Sequence, residues 1–244
     1  IETLFNGGKA AKFLAGFFSV ACILSLGFMG NAVQANSVGD AFHNAFHVPT
    51  VVTGLFLAIL SGFIFFGGVK RIASVTEKVV PIMAVLYVAI CLVIIVLNIG
   101  NAALAFKAIF VNAFSTKAVL GGFAGAAFNQ VMRIGMARSV FSNEAGWGSS
   151  PMIHSSAQTD HPVKQGLWGA FEVFVDTIIV CTLTALVIII TNVWQSGATG
   201  ATLTLSAFET GMGLASKIFI ATGIFLFGVT TSSGWYAYYE IILR

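Results

Sequence analysis

Residues 79–99 read VVPIMAVLYVAICLVIIVLNI. The stretch contains no Asp, Glu, Lys or Arg, and its apolar residues follow one another without alternation. A bilayer core about 30 Å thick takes about 20 apolar residues of α-helix to cross. Lipid offers the backbone no hydrogen-bond partner, so only a helix or a closed barrel can span it, and a barrel strand would alternate. The stretch therefore predicts a transmembrane helix.

Working outward, segments of the same kind recur on both sides. Six spans are expected, near residues 13–38, 50–69, 79–99, 119–140, 166–192 and 216–242, within a single transmembrane domain over residues 1–244. The composition agrees with an all-α polytopic membrane protein. Only 9% of the residues are charged and 57% are hydrophobic, against about 25% charged in a soluble domain, and the mean hydropathy is +0.94. The net charge of +3 comes from twelve cations scattered along the chain against nine acids. No basic cluster interleaves with aromatics, so nucleic acid is excluded as a partner. Cys22, Cys91 and Cys181 fall in apolar runs without CxxC or metal-like spacing and read as packing residues. The chain opens at Ile1 with no leader before its first polar stretch, which reads as an internal fragment.

Charge asymmetry orients the spans. With the first running outward, the inner side collects Lys9, Lys12, Lys70, Arg71, Lys78, Arg133, Arg138, Lys164 and Arg244, and the outer side keeps Lys107, Lys117 and Lys217. That division obeys the positive-inside rule. The expected polar connections include residues 98–117 and the Gly/Thr/Ser stretch 193–206, and all four prolines are expected at or near span ends, where a missing N–H costs least.

Four places break the apolar pattern. In FMGNAVQANSVGDAF (28–42), Asn31, Gln34 and Ser37 recur every third residue and share one helix face. Such amides either bond a neighbouring helix or meet a ligand. In TKAVLGGFAGAAFNQ (116–130), Gly121, Gly122 and Gly125 surround Phe123. They allow either close small-residue packing or a broken helix whose free N–H and C=O groups suit a zwitterion. In IFLFGVTTSSGWYAYYE (224–240), four hydroxyls, Thr230 to Ser233, precede Trp235. Each hydroxyl can bond back to its own helix or offer oxygen to Na⁺, a hard cation. In FEVFVDTIIVCTLTALVIII (171–190), Asp176 is an acid at membrane depth, with a coupling role and a structural hydrogen bond as alternatives.

The densest polar run, RIGMARSVFSNEAGWGSSPMIHSSAQTDHPVKQ (133–165), invites an enzyme reading with Ser149 or Ser155 as nucleophile and His154 or His161 as base. It has no GxSxG turn, HExxH helix or phosphate-binding loop, and its two histidines lack a third ligand at metal-like spacing. No catalytic residue is expected.

Within this run FSNEAGWGSSPMIHSSAQTDHPVKQGLW (141–168) resembles the signature region of the alanine or glycine:cation symporter family, as do GNAVQANS (30–37) and GWYAYYE (234–240). The resemblance extends over essentially the whole chain. It implies a LeuT-like five-helix inverted-repeat transporter fold, of which this chain would be a fragment resembling the fourth to ninth helices. It further implies symport of alanine or glycine with a cation, Na⁺ by expectation, in a plasma membrane such as the bacterial inner membrane. No cofactor is implied beyond the co-transported ion. By the family motifs, Gln34, Gly122, Phe123, Gly125, Thr231 and Trp235 would contact substrate, and Thr230 and Thr231 the cation. Asn143 and Glu144 of the SNEAG stretch would lie at an inner gate, Glu144 pairing with Arg133 or Arg138, with Asp176 as a further gate or structural residue. The competing reading is an ion or small-solute channel with a hydroxyl-lined pore.

Overall fold

The computed structural model describes residues 7–113 and 126–243, and among these every regular element is helical. Helix α1, Lys9–Phe46, includes a π-helical segment at Ile23–Gly30. It stops where His47 turns to a φ of 55° and its N–H bonds to the His43 carbonyl. Pro49 then leads into α2, Thr50–Phe65. Helices α3 (Gly68–Leu97), α4 (Ile99–Ala113), α5 (Ala126–Asn143) and the short α6 (Ser149–His154) follow. Helix α7, Pro162–Ile190, carries a second π-helical segment at Val175–Cys181. Its start is built from His161, whose ring Nδ1 accepts from the Val163 N–H at 3.2 Å, and from Pro162, whose missing N–H loses nothing in a first turn. Helices α8 (Gly200–Met212) and α9 (Leu214–Ile242) complete the described chain.

Four of these helices are long and apolar enough to cross a membrane: Lys9–Phe46, Lys70–Leu97, Pro162–Ile190 and Leu214–Ile242. Thr50–Phe65 and Ile99–Val111 are apolar but shorter. The expected span near 119–140 begins outside the described residues, and its described part is α5. Three expectations are corrected. Residues 98–117 were expected as a polar connection, yet Ile99–Ala113 is helical because Ala102 and Ala105, three apart, pack into a core with Leu186 and Ile190. The Gly/Thr/Ser stretch 193–206 is a connection only as far as Thr199, with a 3-10 turn at Val193–Ser196; from Gly200 it is the start of α8, whose Leu205, Ala207 and Phe208 are buried. Pro81 lies inside α3, not at its end. The carbonyl it leaves without a helical donor belongs to Glu77.

The chain forms two compact units, Ile1–Met83 with Ala221–Arg244, and Ala84–Ile220, and the division falls within α3 and α9. In the first, Val38, Leu57, Ile64, Ile72, Phe225 and Val229 make the core. Phe225 contacts Phe42 and Phe56 at ring separations of 5.3 and 5.7 Å, and Phe65 stacks on Tyr236 at 4.4 Å. In the second, the Tyr87 hydroxyl bonds that of Thr184, and the Tyr87 ring meets Phe208. The Asn98 amide donates to the Ile94 and Gly211 carbonyls, tying α8 to the end of α3. Large apolar side chains such as Phe13, Phe17, Phe66, Ile82 and Val85 are exposed on both units, as expected of helices whose outer faces meet acyl chains.

Candidate functional site

Glycines set how α1 and α9 meet in the first unit. A methyl group on Gly228 would stand 2.5 Å from Val38, one on Gly30 2.7 Å from the Trp235 ring, and one on Gly27 2.5 Å from the Tyr239 hydroxyl. Rising along α1 therefore means descending along α9, so the helices are antiparallel and in near-constant register. In each pair the missing side chain lets a large one close the gap. The same register brings Gln34 level with Thr231, between the Val38–Gly228 and Gly30–Trp235 contacts.

The polar groups at this level differ in what they have left to offer. Gln34 and Thr231 are half-buried, while Thr230, Ser232, Ser233 and Trp235 are buried. The Thr230 hydroxyl donates to the Leu226 and Phe227 carbonyls at 2.9 and 3.1 Å, and Ser233 donates to Val229 at 2.7 Å. Back-bonding of this kind uses the single hydroxyl proton and leaves the oxygen lone pairs pointing away from the helix, a form suited to a hard cation. Asn31 donates through Nδ2 to the Gly27 carbonyl at 3.1 Å, while its Oδ1 is enclosed without a hydrogen-bond partner among the described residues, as is the Tyr239 hydroxyl. Gly122, Phe123 and Gly125 lie outside the described residues.

The remaining expected residues belong to the second unit. Asp176, in the π-helical segment of α7, accepts from Ser142 at 2.7 Å and from Thr177 at 3.4 Å. Asn143 donates to Thr177 at 2.9 Å, and its side-chain oxygen accepts from the Ala145 N–H at 2.9 Å. These bonds fasten the end of α5 and the SNEAG turn to α7. Glu144, at a φ of 54°, accepts from the fully buried Ser149 hydroxyl at 2.6 Å. Arg133 and Arg138 lie on exposed faces of α5. Ser149 and His154, weighed as nucleophile and base, have other partners: Ser149 is bound to Glu144, and His154 sits between Gln165 at 2.7 Å and Glu172 at 3.3 Å.

Sequence reasoning passed over Tyr239 and Ser142. Tyr239 follows Trp235 by four residues and so shares its face, a spacing that would have flagged it. Ser142 reaches Asp176 across 34 positions, which no local pattern encodes.

Long apolar helices bearing amide, hydroxyl and indole groups at span depth define a multi-pass membrane protein with a polar interior, the architecture of transporters and channels. Residues 4–244 match the sodium:alanine symporter family, and the chain belongs to that family. It is 40% identical over 227 residues to an uncharacterized transporter, YflA, of Bacillus subtilis (strain 168), covering 92% of this chain and 48% of that protein. It is 39% identical to the probable sodium/glutamine symporter GlnT of the same organism, covering 97% and 50% respectively. It is 41% identical to the sodium/alanine symporter AgcS of Methanococcus maripaludis, covering 96% and 51%. The chain thus spans about half the length of the curated relatives it matches.

Proposed function

We propose that the protein is a secondary symporter that carries a small neutral amino acid, alanine or glycine, with Na⁺ across the plasma membrane by alternating access, without enzymatic chemistry. Membership in the family supports coupled amino-acid transport, and two relatives named for Na⁺ with alanine or glutamine support the ion and the substrate class. The observation that carries the reading to residues is the antiparallel α1–α9 contact, which brings Gln34 level with Thr231 and beside the Gly30–Trp235 packing. On this reading the six expected spans belong to a LeuT-like inverted-repeat fold within one domain.

Gln34, Thr231 and Trp235 line one wall of the substrate cavity; Gly122, Phe123 and Gly125, which the family resemblance adds to the site, lie outside the described residues. A zwitterion needs acceptors for its ammonium and donors for its carboxylate, and neutral amides, hydroxyls and free backbone meet both without a buried counter-charge. Trp235 limits the volume left for a side chain. Thr230 and Thr231 offer Na⁺ their oxygen lone pairs, and because coupling is reciprocal each ligand tightens the other. The ion then drives uptake with about 2.3 kcal/mol per charge per 100 mV, plus its concentration gradient. Asn143, Glu144 and Asp176, with Arg133 and Arg138 nearby in sequence, form the inner gate. Glu144→Gln lowers the transport rate more than substrate affinity, since it weakens the bond from Ser149.

The test is uptake of labelled alanine, glycine and glutamine by the full-length protein in proteoliposomes, with and without an inward Na⁺ gradient. Saturable uptake that follows the gradient, with substrate-evoked current at fixed stoichiometry, is expected. A conductance that does not saturate and ignores amino acids would instead make it a channel.

A further inference from the structure

We propose that Asn31, reaching back to Gly27, and Tyr239 form an inner station for the substrate's ammonium group at the level of Gly27, about one helical turn toward the cytoplasm from the Gly30–Trp235 contact; this rests on the symport reading above. Two enclosed polar atoms carry it. Asn31 Oδ1 and the Tyr239 hydroxyl have no hydrogen-bond partner among the described residues, and a buried polar group left so is costly unless something visits it.

Both groups gather at Gly27. The Asn31 amide bonds the Gly27 carbonyl at 3.1 Å, and the Tyr239 hydroxyl lies 2.5 Å from where a Gly27 methyl would be. The chemistry selects the visitor. Asn31 has already committed an N–H to Gly27, so its unpartnered atom is an acceptor, and the Tyr239 hydroxyl can accept as well as donate. Two neutral oxygens suit a cationic N–H donor, whereas a carboxylate would meet the Asn31 oxygen unfavourably and an apolar group would leave both atoms stranded.

Direction follows from charge and register. Lys9 and Lys12 mark the inner end of α1, and α9 runs the opposite way, so Gly27 and Tyr239 lie inward of Gly30 and Trp235. A substrate leaving the upper pair would therefore meet these oxygens before reaching the cytoplasm.

The test measures alanine flux from each face of proteoliposomes containing the full-length protein, using wild type, Tyr239→Phe, Asn31→Ala and Asn31→Asp. Tyr239→Phe and Asn31→Ala should raise the apparent KM for internal alanine at least five-fold more than that for external alanine. Asn31→Asp, which keeps the acceptor and the size, should hold the internal KM near wild type or lower it. Internal and external values that move together, or that stay unmoved in the Ala and Phe variants, overturn the station. A shift confined to the internal Na⁺ dependence also overturns it, assigning the oxygens to the ion. Absence of alanine flux in wild type would sink the transport reading itself, whereas normal flux with equal shifts sinks only this station.

Discussion

Gly30 and Trp235 illustrate how a residue without a side chain can set the place of a large one. With 2.7 Å between a would-be methyl and the indole, Gly30→Ala must push the ring aside, and overpacking of this kind costs about 1–3 kcal/mol. Na⁺-driven uptake should fall at least tenfold while the protein still reaches the membrane, as measured by labelled-alanine flux normalised to membrane protein; unchanged uptake would mean that the ring position is irrelevant to transport. On the proposed reading Gln34→Ala removes a hydrogen bond to a charged group of the substrate, worth about 1.5–3 kcal/mol, and so should weaken apparent alanine affinity by about ten- to hundredfold. The check is equilibrium binding of labelled alanine at saturating Na⁺. Gln34 stood out in the sequence because an amide interrupts an apolar span, and Trp235 through the family resemblance of the motif GWYAYYE that follows the hydroxyl run. Their depth relative to each other did not, since it depends on three glycine contacts between segments about 200 positions apart.

At the scale of elements, polar side chains in the second unit act as cross-helix fasteners. Tyr87→Phe would remove the hydroxyl bond to Thr184 but leave Thr184 bonded to the Val180 carbonyl at 2.7 Å, so no group is orphaned. The expected loss is about 1 kcal/mol, seen as a lower thermal midpoint of the purified protein with transport otherwise retained. Loss of fold would show that the bond matters far more than its local geometry implies. The long apolar helices were legible in the sequence because their composition alone exceeds what water tolerates. Helices α4 and α8 were not, for different physical reasons: α4 is apolar but short of a span's length and is interrupted by Asn101 and Lys107, whereas the buried Leu205, Ala207 and Phe208 of α8 lie amid Gly, Thr and Ser, so mean polarity hid a periodic core. The π-helical segments at Ile23–Gly30 and Val175–Cys181 likewise left no signal in residue type, although one immediately precedes Asn31 and the other contains Asp176.

For the whole molecule, the distribution of cations predicts which faces meet the cytoplasm. In a Cys181→Ser background, where Cys22 and Cys91 are buried, an impermeant thiol reagent applied to intact cells should label Lys107→Cys and spare Arg71→Cys. The reverse pattern would invert the orientation. The central claim is that the Gln34 face of α1 borders the cavity that amino acid and Na⁺ occupy together. Alkylation of Ser37→Cys in the full-length protein tests it most directly, with the exposed Val33→Cys as control. The account predicts that alanine slows alkylation of Ser37→Cys at least five-fold, only when Na⁺ is present, and leaves Val33→Cys unchanged. Equal rates at Ser37→Cys with and without alanine and Na⁺ would contradict it.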